Sequence, residues 1–138
     1  MKSFDWSNPY PSHRIPLFAR NVVSTSHPLA AQAGLRILLK GGNAVDAADA
    51  TAGALGVTEP FVAGPGGGGY MVVYLAKAKK VLTIEGREQC PVGCTPQRFV
   101  DPKTGKPLEF EVARRGGLSV GVPGMVAQWA AAVKQYGR

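Results

Sequence analysis

The stretch LAAQAGLRILLKGGNAVDAADATAGALGV, residues 29–57, predicts two consecutive helices. In its first part, apolar residues recur at intervals of three and four, which places them on one face of a helix. Ser26 can cap this helix and Pro28 suits its first turn, since proline lacks the N–H that a first turn leaves unpaired. Gly41-Gly42 then ends it, because glycine accepts the left-handed backbone of a final turn. The first helix is therefore expected at residues 29–39.

A second capping residue, Asn43, precedes residues 44–57, which are rich in alanine. We expect a helix here that is buried between layers, since small side chains allow close approach. Asp46 and Asp49 lie one helical turn apart and have two interpretations. They are a pair of carboxylates for acid–base work, or Asp46 complements the positive end of the helix dipole. The position of Asp46 in the first turn favours the second.

The rest of the chain predicts strands and a third helix. Two runs of β-branched and aromatic residues joined by AKAK indicate an antiparallel hairpin. Pro123-Gly124 opens the last helix, with an apolar face of Val126, Trp129, Ala130 and Val133. The expected elements are a strand at 21–26, hairpin strands at 70–75 and 80–85, a loop over 86–107, a strand at 117–122 and a helix at 125–137. This order predicts an α/β fold, layered as α+β, with helices covering a mixed sheet.

Composition sets limits on organisation and partners. The 138 residues are 45% hydrophobic and 18% charged, which is normal for one globular domain. We divide the chain into an irregular arm at 1–21 and a domain at 22–138. The net charge is +7, but basic residues are scattered and do not alternate with aromatic ones, so no nucleic-acid partner is expected. No apolar run approaches the roughly 20 residues of a membrane span, so no membrane partner is expected either.

Three further features bear on cofactors and location. Cys90 and Cys94 miss the Cys-x-x-Cys spacing, and a zinc site would also need both His13 and His27, so no metal is expected. The run GPGGGG at 64–69 contains Gly-x-Gly-x-x-Gly, but it precedes a strand instead of opening a helix, so no dinucleotide cofactor is expected. We expect the glycines of this run to have a steric role, since they allow the backbone to pass close to another segment. The first twenty residues hold no apolar leader segment, which predicts a cytoplasmic protein if Met1 is the true start.

Arg87 is the best candidate for a functional side chain. It directly follows the second hairpin strand, and its planar guanidinium suits a two-point grip on a carboxylate. The alternative is a surface arginine paired with Glu88 or Glu85, and spacing alone does not separate the two. The run at 24–27, Ser-Thr-Ser-His, resembles a nucleophile beside its base. Such groups are rarely neighbours in sequence, however, and this run also serves as a helix cap.

Several segments taken together resemble the γ-glutamyltranspeptidases, which are N-terminal-nucleophile hydrolases. Each segment is weak alone, but their order and spacing over residues 22–137 make the match specific. The segments are Leu29-Ala-Ala-Gln-Ala-Gly34, Gly41-Gly-Asn-Ala-Val-Asp-Ala-Ala48, Gly66-Gly-Gly-Gly-Tyr-Met71, Gly86-Arg-Glu-Gln-Cys-Pro91 and Gly116-Gly-Leu-Ser-Val-Gly-Val-Pro-Gly124.

The resemblance implies a fold, a reaction and two site residues. It implies the N-terminal portion of an αββα sandwich that is incomplete in this chain, within a proenzyme that cuts itself in two. A threonine that heads the small subunit would be the nucleophile, with its own α-amine as base. No catalytic residue is therefore assigned here. By resemblance, Arg87 grips the α-carboxylate of a γ-glutamyl substrate such as glutathione, and Glu88 helps to hold the site. The expected partner is the small subunit of the same proenzyme.

The chain departs from the family pattern at several positions. Gln89-Cys90 stands where Thr-Ala is usual, Asp49 stands where a small apolar residue is usual, and residues 61–63 are less polar than usual. Most relatives also carry a secretion signal, whereas this chain looks like the cytoplasmic bacterial members. Two alternatives therefore stay open. The first is a family acylase or amidohydrolase acting on another acyl group. The second is a non-catalytic truncated fragment, since the 138 residues contain no Thr-Thr or Thr-His motif.

Overall fold

The computed structural model describes residues 16–138 and contains four helices, two 3-10 turns and one hairpin in that part of the chain. The expected arm at 1–21 lies mostly outside the described residues. The helices are α1 (Pro28–Leu39), α2 (Ala44–Thr58), α3 (Phe110–Arg115) and α4 (Met125–Tyr136), the strands are β1 (Gly69–Leu75) and β2 (Lys80–Gly86), and the 3-10 turns are Pro96–Phe99 and Gly117–Ser119.

Helix α1 begins and ends close to the positions that its sequence predicts. Its N-cap is His27 and not Ser26: the imidazole Nδ1 accepts from Leu29 N at 3.2 Å. Ser26 instead donates its hydroxyl to Glu59 Oε2 at 2.7 Å, which links the start of α1 to the end of α2. Gly41 adopts φ +96°, the left-handed backbone expected after the final turn.

Helix α2 begins with a capping box. Asn43 Oδ1 accepts from Val45 N at 2.8 Å and from Asp46 N at 3.2 Å, while Asp46 Oδ2 accepts from Asn43 N at 2.8 Å. Asn43 also donates to the carbonyl of Tyr136 at 2.6 Å. The cap therefore satisfies the first turn of α2 and joins it to the end of α4.

Small residues bring α1 and α2 into direct contact, as the alanine-rich sequence predicts. Ala30 and Gly34 are buried on α1, and Ala47 and Thr51 are buried on α2. A Cβ at Gly34 would lie 2.9 Å from the carbonyl oxygen of Ala47, so the helix backbones approach more closely than a larger residue would permit.

The hairpin is antiparallel, and its register runs from Gly69 opposite Gly86 to Leu75 opposite Lys80. Both strands and their pairing agree with the sequence prediction. Gln128 of α4 is only 4% exposed and crosses the base of the hairpin. Its amide Nε2 donates to Gly69 O at 3.2 Å and to Ile84 O at 2.6 Å, which fixes α4 to both strands. This places the start of α4 next to the end of β2.

Three predictions of secondary structure and packing are wrong. Residues 21–26 form no strand, and 117–122 form a 3-10 turn with a single bridge from Val122 to Gln89, so the sheet of the described residues has two strands. The glycines at 116, 117 and 121 weaken strand formation. Helix α3 lies between the predicted loop at 86–107 and the predicted strand at 117–122, where no element is predicted. The predicted apolar face of α4 is mostly exposed in residues 16–138, where Gln128 and Ala132 are the buried residues.

None of the helices within residues 16–138 combines the length and apolar character needed to cross a bilayer.

A candidate carboxylate-binding cleft at Arg87

Arg87 leaves the end of β2 between two glycine-rich segments. A Cβ at Gly68 would lie 2.5 Å from Gly86 O and 2.9 Å from Arg87 Cα. A Cβ at Gly124 would lie 2.5 Å from Gly86 O and 2.7 Å from Arg87 O. Two segments of the chain therefore approach the backbone at residues 86–87 closely, which is possible only because they carry no side chain at Gly68 and Gly124. This confirms a steric role for the glycine run that includes Gly68.

Backbone hydrogen bonds connect the same three segments. Gln89 N donates to Val122 O at 3.1 Å and Val122 N donates to Gln89 O at 2.8 Å. Gly124 N and Met125 N both donate to Gly67 O, at 3.2 and 3.1 Å. The strand end, the glycine run and the start of α4 thus form one hydrogen-bonded unit around Arg87.

This unit borders an open cleft of about 500 Å³. The cleft has polar and apolar walls, and the sequence segments that meet there are far apart along the chain. The lining residues are Gly66, Arg87, Glu88, Gln89, Cys90, Pro91, Cys94, Phe99, Leu118, Ser119, Val120 and Gly121.

Arg87 and Glu88 both line this cleft. The Arg87 side chain is 57% exposed and its Nη1 lies 3.3 Å from Glu88 Oε2, while the Glu88 side chain is 31% exposed. The pair is close enough for an ion pair but lacks hydrogen-bond alignment, since Glu88 Oε2 has no hydrogen-bond partner among residues 16–138. A guanidinium held in this way keeps most of its donors free to face a ligand in the cleft.

The partner of Arg87 is thus Glu88, and within residues 16–138 no ion pair joins Arg87 to Glu85. Pairing and ligand binding, which the sequence leaves as alternatives, are compatible here. An exposed pair contributes little to stability, about 0–1 kcal/mol, so the free energy of folding alone does not account for its place in the cleft.

The two aspartates of α2 do not line the cleft. Asp46 is engaged in the capping box and also accepts from Arg138 N at 3.1 Å, which confirms its interpretation as a helix-end residue. Asp49 has both carboxylate oxygens enclosed, with no hydrogen-bond partner in the described part of the chain. Burial, and to a lesser extent the negative charge of Asp46, raises the pKa of Asp49 from 3.8 to about 6.

The other sequence candidates have structural roles or stay untested. His27 and Ser26 are engaged in the helix-end contacts described above, which confirms that this run acts as a cap. Between residues 16 and 138, no group of three or more His, Cys, Asp and Glu side chains is placed to hold a metal ion. His13 lies outside the described residues. Cys90 and Cys94 are free thiols at the cleft.

Sequence reasoning did not identify Gln128 as part of this unit. A glutamine in an alanine-rich helix reads as a surface residue, and only the tertiary structure shows that it faces strand carbonyls. A useful signal was its position, three residues after the Met125 start of α4, which places it on the first turn beside Pro123-Gly124.

Comparison with known proteins gives a consistent result. The family model described as gamma-glutamyltranspeptidase matches residues 30–138. The glutathione hydrolase proenzyme of Bacillus subtilis is 46% identical over 116 residues, which are 84% of this chain and 20% of that protein. The chain therefore spans about a fifth of the length of the curated relatives it matches.

Solved structures agree. The γ-glutamyltranspeptidase of Helicobacter pylori superposes with a TM-score of 0.81 at 37% identity, covering 91% of this chain and 35% of that one. A cephalosporin acylase from Bacillus halodurans superposes with a TM-score of 0.77 at 37% identity, covering 100% of this chain and 25% of that one. These matches confirm the fold class predicted from sequence, a part of the N-terminal-nucleophile hydrolase fold.

Proposed function

This chain belongs to the γ-glutamyltranspeptidase family, and on that premise we propose that it forms the N-terminal region of the large subunit of a γ-glutamyltransferase or glutathione hydrolase. In this proposal the cleft at Arg87 receives the α-carboxylate of a γ-glutamyl donor such as glutathione. The nucleophile is a threonine that heads the small subunit, outside these 138 residues. That threonine attacks the γ-amide, using its own α-amine as base, and water or an amino acid then resolves the acyl-enzyme.

The proposal depends on the exposure and the ion pairing of the Arg87 side chain. Its side chain is 57% exposed at the wall of the cleft and, within residues 16–138, forms its ion pair with Glu88 alone. A carboxylate entering the cleft can meet the guanidinium in a two-point, charge-assisted contact. In this proposal Glu88 orients the guanidinium. The three-segment backbone unit fixes the point from which the side chain starts.

Exposed apolar side chains support contact with the rest of the same proenzyme, which includes its small subunit. Large apolar residues that are exposed in the described part of the chain include Val57, Phe61, Val62, Val92 and Phe110. Exposed apolar surface on this scale is typical of faces that other parts of a protein cover. We propose that the remainder of the proenzyme covers them.

The test of Arg87 uses the full-length proenzyme and the donor γ-glutamyl-p-nitroanilide. Arg87→Ala should mainly raise KM, since it removes a contact made to the bound donor. The loss of binding free energy of about 2–4 kcal/mol corresponds to a KM that is roughly 30- to 700-fold higher. Arg87→Lys keeps the charge but loses the planar fork, so we expect an intermediate KM.

Arg114→Ala is the matched control. Arg114 is an exposed arginine paired with Glu111 on α3 and does not line the cleft, so its loss should leave KM unchanged. A KM for Arg87→Ala equal to that of the control would refute the role of Arg87.

The second candidate is an acylase, supported by the match of all 138 residues to a quarter of the cephalosporin acylase structure. An acylase whose acyl group lacks an α-amino-acid head would have no α-carboxylate for Arg87 to bind. It would hydrolyse amides without that head and would depend little on Arg87. Assaying both amide types with the wild-type protein and Arg87→Ala distinguishes the two functions.

A further inference from the structure

Two cysteines flank a tight turn beside Arg87. Cys94 N donates to Pro91 O at 2.9 Å, which closes a four-residue turn over 91–94. Gly93, the third residue of that turn, has φ +83°, as a type II turn requires. Because Cys90 directly precedes the turn and Cys94 ends it, the turn brings the two side chains back towards each other.

Both thiols belong to the cleft wall that also carries Arg87. Cys90 is exposed and Cys94 is half-buried, and both are free. Contact with Cys94 is the main effect that raises the pKa of the Cys90 thiol, with a smaller contribution from burial, and nearby Arg98 opposes it. The two side chains thus line one cleft from the two ends of a single closed turn.

We propose that Cys90 and Cys94 form a reversible dithiol–disulfide site for small aliphatic disulfides, in which Cys94 resolves adducts formed on Cys90 and so keeps the cleft open. No oxidant other than the small disulfide is needed, since thiol–disulfide exchange transfers the electrons directly.

The reaction has two exchange steps. The Cys90 thiolate attacks one sulfur of the small disulfide, which forms a mixed disulfide on Cys90 and releases one small thiol that takes up the proton Cys90 lost. The Cys94 thiolate then attacks the Cys90 sulfur, which forms the Cys90–Cys94 disulfide and releases the second small thiol with the second proton. The two protein sulfurs are oxidised and the small disulfide is reduced to two thiols.

The consequence for the cleft follows from geometry. An adduct of tripeptide size on Cys90 would stand in the cleft that Arg87 borders, whereas a disulfide within the turn adds no atoms to it. With Cys90 alone, such an adduct would stay in place and block the cleft. Cys94 removes the adduct by forming the disulfide with Cys90. The effect on donor binding rests on the proposed function, but the exchange reaction does not.

The chain is well suited to a direct chemical test. Trypsin cleaves after Arg87 and Arg98, so residues 88–98 form one peptide, EQCPVGCTPQR, that carries both cysteines. The full-length protein is treated with glutathione disulfide, blocked with a thiol alkylating reagent and analysed by mass spectrometry. We expect this peptide to lose two hydrogens and to recover them after treatment with dithiothreitol. Recovery of the peptide with two alkylated thiols, or with a stable glutathione adduct, would overturn the proposal.

A kinetic test addresses the role in the cleft. In Cys94→Ser the adduct on Cys90 cannot be resolved, so treatment with glutathione disulfide, followed by removal of the free disulfide before the assay, should raise the donor KM several-fold, and dithiothreitol should restore it. The double variant Cys90→Ser with Cys94→Ser is the matched control, and its KM should be the same with and without this treatment.

The two arms separate the two proposals. An adduct on Cys94→Ser that leaves KM unchanged would refute the protective role. Disulfide formation in a protein that acts on no γ-glutamyl donor would refute the proposed function and support the exchange site.

Discussion

Replacing Gly124 with alanine should displace the backbone of Arg87 while leaving the arginine side chain itself unchanged. The new Cβ would lie 2.5 Å from Gly86 O and 2.7 Å from Arg87 O, both backbone atoms. Ordinary van der Waals contact begins at 3.4 Å, so either α4 or the 86–87 segment must move by about 0.9 Å. The backbone of Gly124, with φ −110° and ψ −10°, suits alanine, so the effect comes from this contact and not from backbone strain.

The expected cost has two parts. Overpacking of this kind destabilises a fold by about 1–3 kcal/mol. Alanine is also a poorer N-cap than glycine, which adds to the loss of stability but not to the displacement. A shift of nearly 1 Å at the group that orients a substrate can lower kcat/KM by about 10²-fold. Both the free energy of unfolding and kcat/KM should therefore fall.

The assay compares urea unfolding and γ-glutamyl-p-nitroanilide kinetics of the full-length variant with those of Gly117→Ala. Gly117 lies in the same loop region, but a Cβ there would meet nothing within 4 Å, so this control should behave as the wild type. If Gly124→Ala unfolds at the wild-type urea concentration, the close approach described here is wrong. If it is destabilised but keeps the wild-type kcat/KM, the packing is right, but α4 has moved and the displacement of Arg87 predicted here is refuted.

Two further predictions concern buried polar groups. Gln128→Leu leaves the carbonyls of Gly69 and Ile84 without their side-chain donor and should destabilise the protein by about 1–3 kcal/mol in urea unfolding, and an unchanged midpoint would contradict the role of this amide. The pKa of Asp49 is raised from 3.8 to about 6, so the folded state holds this proton more tightly than the unfolded chain, and the contribution of Asp49 to stability falls as pH rises through that interval. Asp49→Asn should make the urea midpoint of unfolding less dependent on pH in that interval. A plot of midpoint against pH that runs parallel to that of the wild type would refute the burial of this carboxyl.

The elements that the sequence predicts well are those with local signals. Helices α1 and α2 and the hairpin are bounded by capping residues, glycines and a short turn that act within a few residues. Their observed bounds lie within one residue of the expected ones. The segment at 117–122 has the β-branched residues of a strand, but strand formation depends on a partner along its whole length. Only Val122 finds one, at Gln89, and the glycines allow the rest to turn.

The candidate site was only partly predictable. Arg87 stood out because it follows a strand, and its pairing with Glu88 follows from adjacency. The role of Gln128 could not be predicted from the sequence, because a polar residue on an alanine-rich helix gives no local sign that strand carbonyls face it. The apolar face predicted for α4 was wrong for a related reason. Val126 and Val133 are 55% and 47% exposed, and periodicity does not say which neighbours are present to cover a face.

The glycine motifs that carry the family resemblance have a physical reason to occur together. The segments at 66–69 and 116–124 are distant in sequence, yet Gly68 and Gly124 both lie close to the same peptide at Gly86. Neither position tolerates a Cβ unless it or the 86–87 segment moves, and the hydrogen bonds from Gly124 and Met125 to Gly67 close the unit. A Cβ added at Gly68 or at Gly124 is therefore expected to change the starting point of the Arg87 side chain. The conformational freedom of glycine matters less here than its small size, because this size lets three backbones meet behind one arginine.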